Sequence, residues 1–171
     1  MNRRNFILGG VSLVAAGSAA LAIKSNGYQP QLPALLTRLE QLRGATIQST
    51  TAWNASQVLQ HLAQSVEGSI HGFAELKPVW FRASVGPIAL AVFKARGAMS
   101  HPLTEPIPGA GELDAQVPSD AALDRLLAAL QELQQLTQAQ PHFAYGDLSI
   151  QDSLAAHQLH IEQHLTALTV A

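Results

Sequence analysis

Three histidines fall within one short stretch, His157-Gln158-Leu159-His160-Ile161-Glu162-Gln163-His164. Imidazole is the commonest side-chain ligand for zinc, nickel and iron and a frequent general acid or base, so their placement matters. Residues of a helix advance by about 100° each. With His157 at zero, His160 falls at about −60° and His164 at about −20°. Ile150, Leu154, Ile161, Leu165 and Leu168 fall at about +20° to +80°. The imidazoles therefore line one edge of the face that the apolar residues turn to a core. His160 and His164 are i, i+4, the spacing at which two imidazoles on one helix grip one ion. His157 lies about 10 Å along the axis from His164, too far for all three to share an ion easily. A lone histidine at the edge of a Gln-rich helix is ordinarily solvated or hydrogen-bonded; three on one arc point to a metal.

A metal held inside a helical protein needs a ligand from a facing helix. His61 and His71 are the candidates. They lie about 125° and about 155° from the centre of the apolar stripe of their helix, so periodicity selects neither, and His71 reads as exposed. His101 and His142 sit in Pro-bounded segments and read as plain loop residues, either of which could close over a bundle mouth. Ser65, Ser69 and Ser84 carry no nucleophile motif, and Glu67, Glu75 and Glu162 read as solvated. Trp53, Trp80, Phe81 and Phe143 read as packing for helix ends. No glycine-rich phosphate loop lies between a strand and a helix.

The elements that must position these residues are helices. Pro33 opens a first one over 34–43, with Leu35, Leu36, Leu39 and Leu42 inward and Gly44 as its stop. Residues 45–52 read as a loop. Asn54 caps a second helix over 55–74, with the stripe Val58, Leu59, Leu62, Val66, Ile70 and Phe73. Residues 77–111 are irregular apart from a short helix over 88–96 that ends at Gly97. Pro102, Pro106, Pro108, Gly109 and Gly111 then bar regular structure, and so long a connection is usually functional or crosses over the fold. Ser119 caps a third helix over 120–138, with Leu123, Leu126, Leu127, Leu130 and Leu133 inward. Ser149 and Asp152 resemble a capping box opening a fourth helix over 150–168. No alternation of period two lasts long enough for a sheet. The pattern is all-α: a four-helix bundle with a long 2–3 crossover carrying a short extra helix.

Composition agrees. The chain has 171 residues, 47% of them hydrophobic and 13% charged, enough to bury a core in one domain. It has no cysteine, which rules out disulfides, Cys-ligated metal and a cysteine nucleophile. A formal charge of −2 gives no basic footprint for nucleic acid. Residues 1–22 read as an address. Arg3 and Arg4 precede the uncharged run Ile7–Ile23, and Ala20-Leu21-Ala22 offers a small-x-small cleavage site. Arg3-Arg4-Asn5-Phe6-Ile7 resembles the twin-arginine export signal. Residues 23–33 read as a linker and 34–171 as the bundle, placed in the periplasm or otherwise exported. If the signal is kept, the run is an inner-membrane anchor at the short edge of a span.

His61 within Gln57-Val58-Leu59-Gln60-His61-Leu62-Ala63-Gln64-Ser65, the long crossover and the terminal His160-x-x-x-His164 resemble the DinB-like (DinB/YfiT) superfamily of four-helix bundles. Many of its members hold a divalent metal with one histidine from helix two and two from helix four. The resemblance places His61, His160 and His164 in those positions, with His157 and His101 as supporting groups or alternative ligands and zinc, nickel or iron as the ion. Phe81-Arg82, Gly86-Pro87, Gly97-Ala98-Met99-Ser100-His101-Pro102-Leu103, Ile107-Pro108-Gly109 and Pro141-His142-Phe143-Ala144-Tyr145-Gly146 are, in that order, similar to a bacterial branch known as domain of unknown function 1569. Thr166, Ala167 and Leu168 stand where that branch has an aromatic tail. Some DinB-like relatives are thiol-dependent transferases or isomerases. Together with the export signal, the resemblance implies an exported metal-binding protein, a metal-dependent (thiol) transferase or hydrolase. The alternatives are a non-catalytic periplasmic binding module and a membrane-anchored accessory domain. The implied partners are a small-molecule or thiol substrate, the twin-arginine export machinery and a second copy in a homodimer.

Overall fold

The computed structural model describes Ser18, Leu21, Ala22 and residues 24–171. The segment read as an export signal lies outside the described residues except at those first three positions. Among the described residues, no helix is long and apolar enough to cross a membrane. Within the expected linker, residues 24–27 are helical and Ser25 is buried.

The protein is mostly helical, with α1 (Leu32–Glu40), α2 (Ala55–His71), α3 (Val79–Ala83), α4 (Val85–Arg96), α5 (Ser119–Gln135) and α6 (Ile150–Leu165). Two three-residue strands, β1 (Ile47–Ser49) and β2 (Leu168–Val170), join them. α2 packs along α5, and α6 touches α1, α2, α4 and α5. One core runs through α1, α2, α5 and α6. Leu39, Leu59, Leu62, Leu126 and Leu133 are wholly enclosed in it.

Local chemistry sets most boundaries. Asn54 accepts from Gln57 N–H, and the Gln57 side chain accepts from Asn54 N–H, so two orphan donors of α2 are satisfied reciprocally. Gly72, at φ +101°, ends that helix at His71, before the expected residue 74. α4 begins at Val85 rather than 88, because Pro87 then sits in a first turn where no intrahelical N–H is needed. Ser149 accepts from Asp152 N–H as a cap, but the Asp152 carboxylate turns to the Ser149 hydroxyl and to Lys94 Nζ (2.5 Å) instead of closing the box. Ser119 is the first residue of α5 rather than its cap, and makes no capping bond.

The strands were not expected. β1 pairs antiparallel with β2, with Ile47 opposite Val170, Gln48 opposite Thr169 and Ser49 opposite Leu168. Thr46, Ile47, Thr169 and Val170 favour extended backbone. The pairing also ends the last helix at Leu165 rather than 168. It joins residues far apart in sequence, over runs too short for alternation to show.

The long connection between α4 and α5 is fastened to α2 by three glutamines. Gln57 donates to Leu113 C=O (3.1 Å) and Gln64 to Gly111 C=O (2.9 Å). Gln60 donates to Asp114 C=O (2.7 Å) and accepts from Asp114 N–H (3.1 Å). This covers the edge of α2 that its apolar stripe leaves open.

Candidate metal centre

That covering brings His61 indoors. α2 is buried nearly all round, and His61 is 1% exposed. α6 is likewise enclosed from Ser153 to Ile161, with His164 on its last turn also buried. His61, His160 and His164 each offer a ring nitrogen, and these atoms lie within 4.8 Å of one another. The His61 and His160 Nε2 atoms are 3.2 Å apart. The ring centroids of His61 and His164 are 4.9 Å apart, and those of His160 and His164 are 4.7 Å apart. Trp53 packs on the His61 ring at 5.0 Å rather than only on a helix end.

The donor set fits a divalent ion. Two nitrogens bound to one ion at about 2.0–2.1 Å stand about 2.8–3.4 Å apart for angles between square and tetrahedral, and the His61–His160 separation lies in that interval. Buried polar atoms are also left without partners: His61 Nδ1 and both His164 ring nitrogens. A buried nitrogen without a partner costs about 1–3 kcal/mol, and an ion beside the His61 and His160 Nε2 atoms would give one of the two His164 nitrogens a partner. Metal ligation requires neutral imidazoles. Burial, reinforced by the His101 charge, pushes His61 down to about 4. Burial and the neighbouring histidine charges push His164 to about 3 and His160 well below the ordinary histidine range. Three buried histidines could thus form a metal site.

The other histidines divide. His101, on the crossover, stands over the group at 4.9 Å from the His160 ring and 5.3 Å from His164. Its Nδ1 donates to Pro102 C=O (2.8 Å), which leaves Nε2 as its basic nitrogen, and Gln163 holds its backbone by donating to His101 C=O (2.7 Å). His157 faces elsewhere: Ser69 Oγ lies 2.8 Å from its Nε2 and Ser65 Oγ 3.5 Å from its Nδ1. His71 is exposed, as its helix angle predicts.

His142 is the residue that the sequence reading missed. It is not a plain loop residue: it is 5% exposed, and its ring centroid is 6.1 Å from that of His157. Phe143 also departs from its expected role, stacking on His142 at 4.7 Å, whereas Trp80 is 66% exposed and packs little beyond Phe81. A cavity of ≈ 180 Å³ is lined by members of both histidine groups: His61, His101 and His160, and His142 and His157. Phe93, Met99 and Ile107 form much of its apolar wall. The signal was the Pro141–Gly146 aromatic run, which entered the sequence reading as part of the family resemblance without a role for His142 itself.

No curated protein and no solved structure matches this chain. Residues 25–171 do match a family, and the match takes in α1 through β2, the three buried histidines, the crossover and the His142 loop. The chain belongs to the family described as Protein of unknown function (DUF1569).

Proposed function

We propose that His61, His160 and His164 hold a divalent ion (zinc, nickel or iron) in a DinB-like four-helix bundle made by α1, α2, α5 and α6. The protein is on this reading an exported metal-dependent transferase or hydrolase acting on a small molecule, with a thiol as one class of co-substrate. The observation that carries it is the meeting of three buried imidazoles from two helices, with unpartnered nitrogens, at the border of a cavity. An ion there would supply Lewis acidity. The chain's own groups prepare the place. Burial keeps the imidazoles neutral, the Trp53 ring fixes His61, and Gln163 holds the segment that brings His101 across the opening.

The cavity favours this reading over a purely structural ion, since a closed structural site needs no open space beside its ligands. Metal analysis of the purified chain beside the His160→Ala/His164→Ala variant tests it. About one equivalent in the wild type and a loss in the variant is the expected result; equal, negligible metal in both overturns it. Export through the twin-arginine route follows from Arg3-Arg4 and the uncharged run, and intact mass of the exported chain reads whether the run is cleaved.

A further inference from the structure

The loop Pro141–Gly146 is built around one imidazole. His142 N–H donates to Gly146 C=O (2.8 Å) and Gly146 N–H returns to His142 C=O (3.1 Å), closing a tight hairpin with Gly146 at φ +75°. The His142 ring folds back over that hairpin. Its Nδ1 accepts from Ala144 N–H (3.1 Å) and from Tyr145 N–H (3.3 Å). A nitrogen that accepts two backbone N–H groups carries no proton, so the proton of the neutral ring sits on Nε2. Tyr145 stacks on the ring at 4.4 Å and Phe143 at 4.7 Å, which fixes its plane.

The surroundings fix the loop in turn. Lys77 N–H donates to Phe143 C=O (2.9 Å). Gly86 lies so close to Ala144 C=O that a Cβ there would collide with backbone, and a Cβ on Gly146 would stand 2.8 Å from Arg82 C=O. The loop thus holds one imidazole donor in a fixed place. His142 lines the cavity, and its Nε2 has no hydrogen-bond partner among the described residues. Lys77 lines the same cavity; its ammonium stands 5.3 Å from the Phe81 ring centroid and makes no ion pair among the described residues. The one carboxylate of the wall, Glu105, is exposed. The rest of the wall is largely apolar.

We propose that the cavity binds a small carboxylate with an apolar body, its carboxylate accepting the Nε2–H of His142 with Lys77 supplying positive charge, and its body lying on Phe93, Met99 and Ile107 toward His61 and His160. This names the substrate class of the proposed centre. It rests on that reading for where the far end of the ligand goes, but the head-group contact needs no ion.

The experiment titrates the ¹⁵N-labelled full chain with phenylacetate, as purified and after chelation of metal. At pH 7 His142 should show an unprotonated Nδ1 and a protonated Nε2, and Nε2 should shift saturably with phenylacetate in both preparations. 2-Phenylethanol, which has the same body without the carboxylate, should bind about tenfold or more weakly, as expected for a lost charged hydrogen bond. His142→Ala should weaken phenylacetate by a similar factor at unchanged metal content, and Lys77→Met by a smaller one. A proton on Nδ1, absence of saturable binding, or equal binding of the acid and the alcohol overturns the proposal; these three readouts need no variant. Saturable binding by the chelated chain, beside negligible metal in the chain as purified, would support this assignment while removing the metal centre.

Discussion

Acidification should destabilise the fold through His157, by an amount that the structure sets. The side chain is 1% exposed, and its neighbours are the neutral hydroxyls of Ser65 and Ser69 and the His142 ring. Burial alone pushes its pKa from 6.5 down to about 4. Above pH 6.5 neither the folded nor the unfolded chain holds a proton there, and this group's contribution is flat. Between 6.5 and about 4 the unfolded chain takes up a proton that the folded chain refuses, so stability falls as pH falls. The slope is about 1.4 kcal/mol per pH unit, and the whole window is worth about 3 kcal/mol. His157→Gln keeps polar atoms near both serines and removes the titration. Urea unfolding of metal-stripped wild type and variant, from about pH 7.5 to about pH 4.5, isolates the effect, because the other buried histidines titrate in both proteins. The wild type should lose about 2–3 kcal/mol more than the variant across that range. Parallel curves would refute the reasoning, since they would mean that His157 is either hydrated or already charged in the folded chain.

Three further substitutions probe the scaffold. Gly86→Ala forces its new Cβ against the Ala144 carbonyl and should cost about 1–3 kcal/mol in thermal unfolding, with the His142 side-chain resonances displaced. Gln60→Ala strips both bonds to Asp114 and should cost about 1–3 kcal/mol, with faster amide exchange confined to residues 111–117. Leu126→Ala empties a fully enclosed position and should cost about 2–5 kcal/mol by denaturant unfolding, with no change in m.

The helices were legible because their inward faces obey one period. Leu123, Leu126, Leu127, Leu130 and Leu133 are all buried where the spacing put them, and so are Val58, Leu59, Leu62 and Val66. His61 was not legible that way. Periodicity assumes one buried face, whereas α2 has its second face covered by backbone carbonyls that Gln57, Gln60 and Gln64 capture; a run of glutamines reads as solvent exposure when it is in fact a dock for the crossover. Only the family resemblance singled out His61. His142 escaped for a related reason: Phe143 and Tyr145 stack on it from its own loop and Phe73 packs on it from beyond the end of α2, contacts that no helical repeat around His142 announces. The β1–β2 pairing depends on contacts between distant segments, and no local pattern carries that information.

The spacing within α6 also explains why one cavity meets two kinds of imidazole. His160 and His164 are one turn apart and face His61, while His157, a turn further back, faces Ser65 and Ser69 on the same partner helix. His61, Ser65 and Ser69 are themselves i, i+4 and i, i+8 on α2, so the two helices present matched ladders: the three closely set imidazoles of His61, His160 and His164 at one end, the hydroxyl-bonded nitrogens of His157 at the other. The two ends differ in what they lack. At the first end His61 and His164 have buried nitrogens with nothing to bind, whereas His157 has partners for both of its own. A cation would give His164 a partner for one nitrogen at the first end and would gain little at the second, where the nearby group still open is the His142 donor. On the proposed reading, a ligand lying between the two would meet ligating imidazoles at one end and the His142 donor at the other, and that polarity suits a molecule with its acceptor oxygens at one side only.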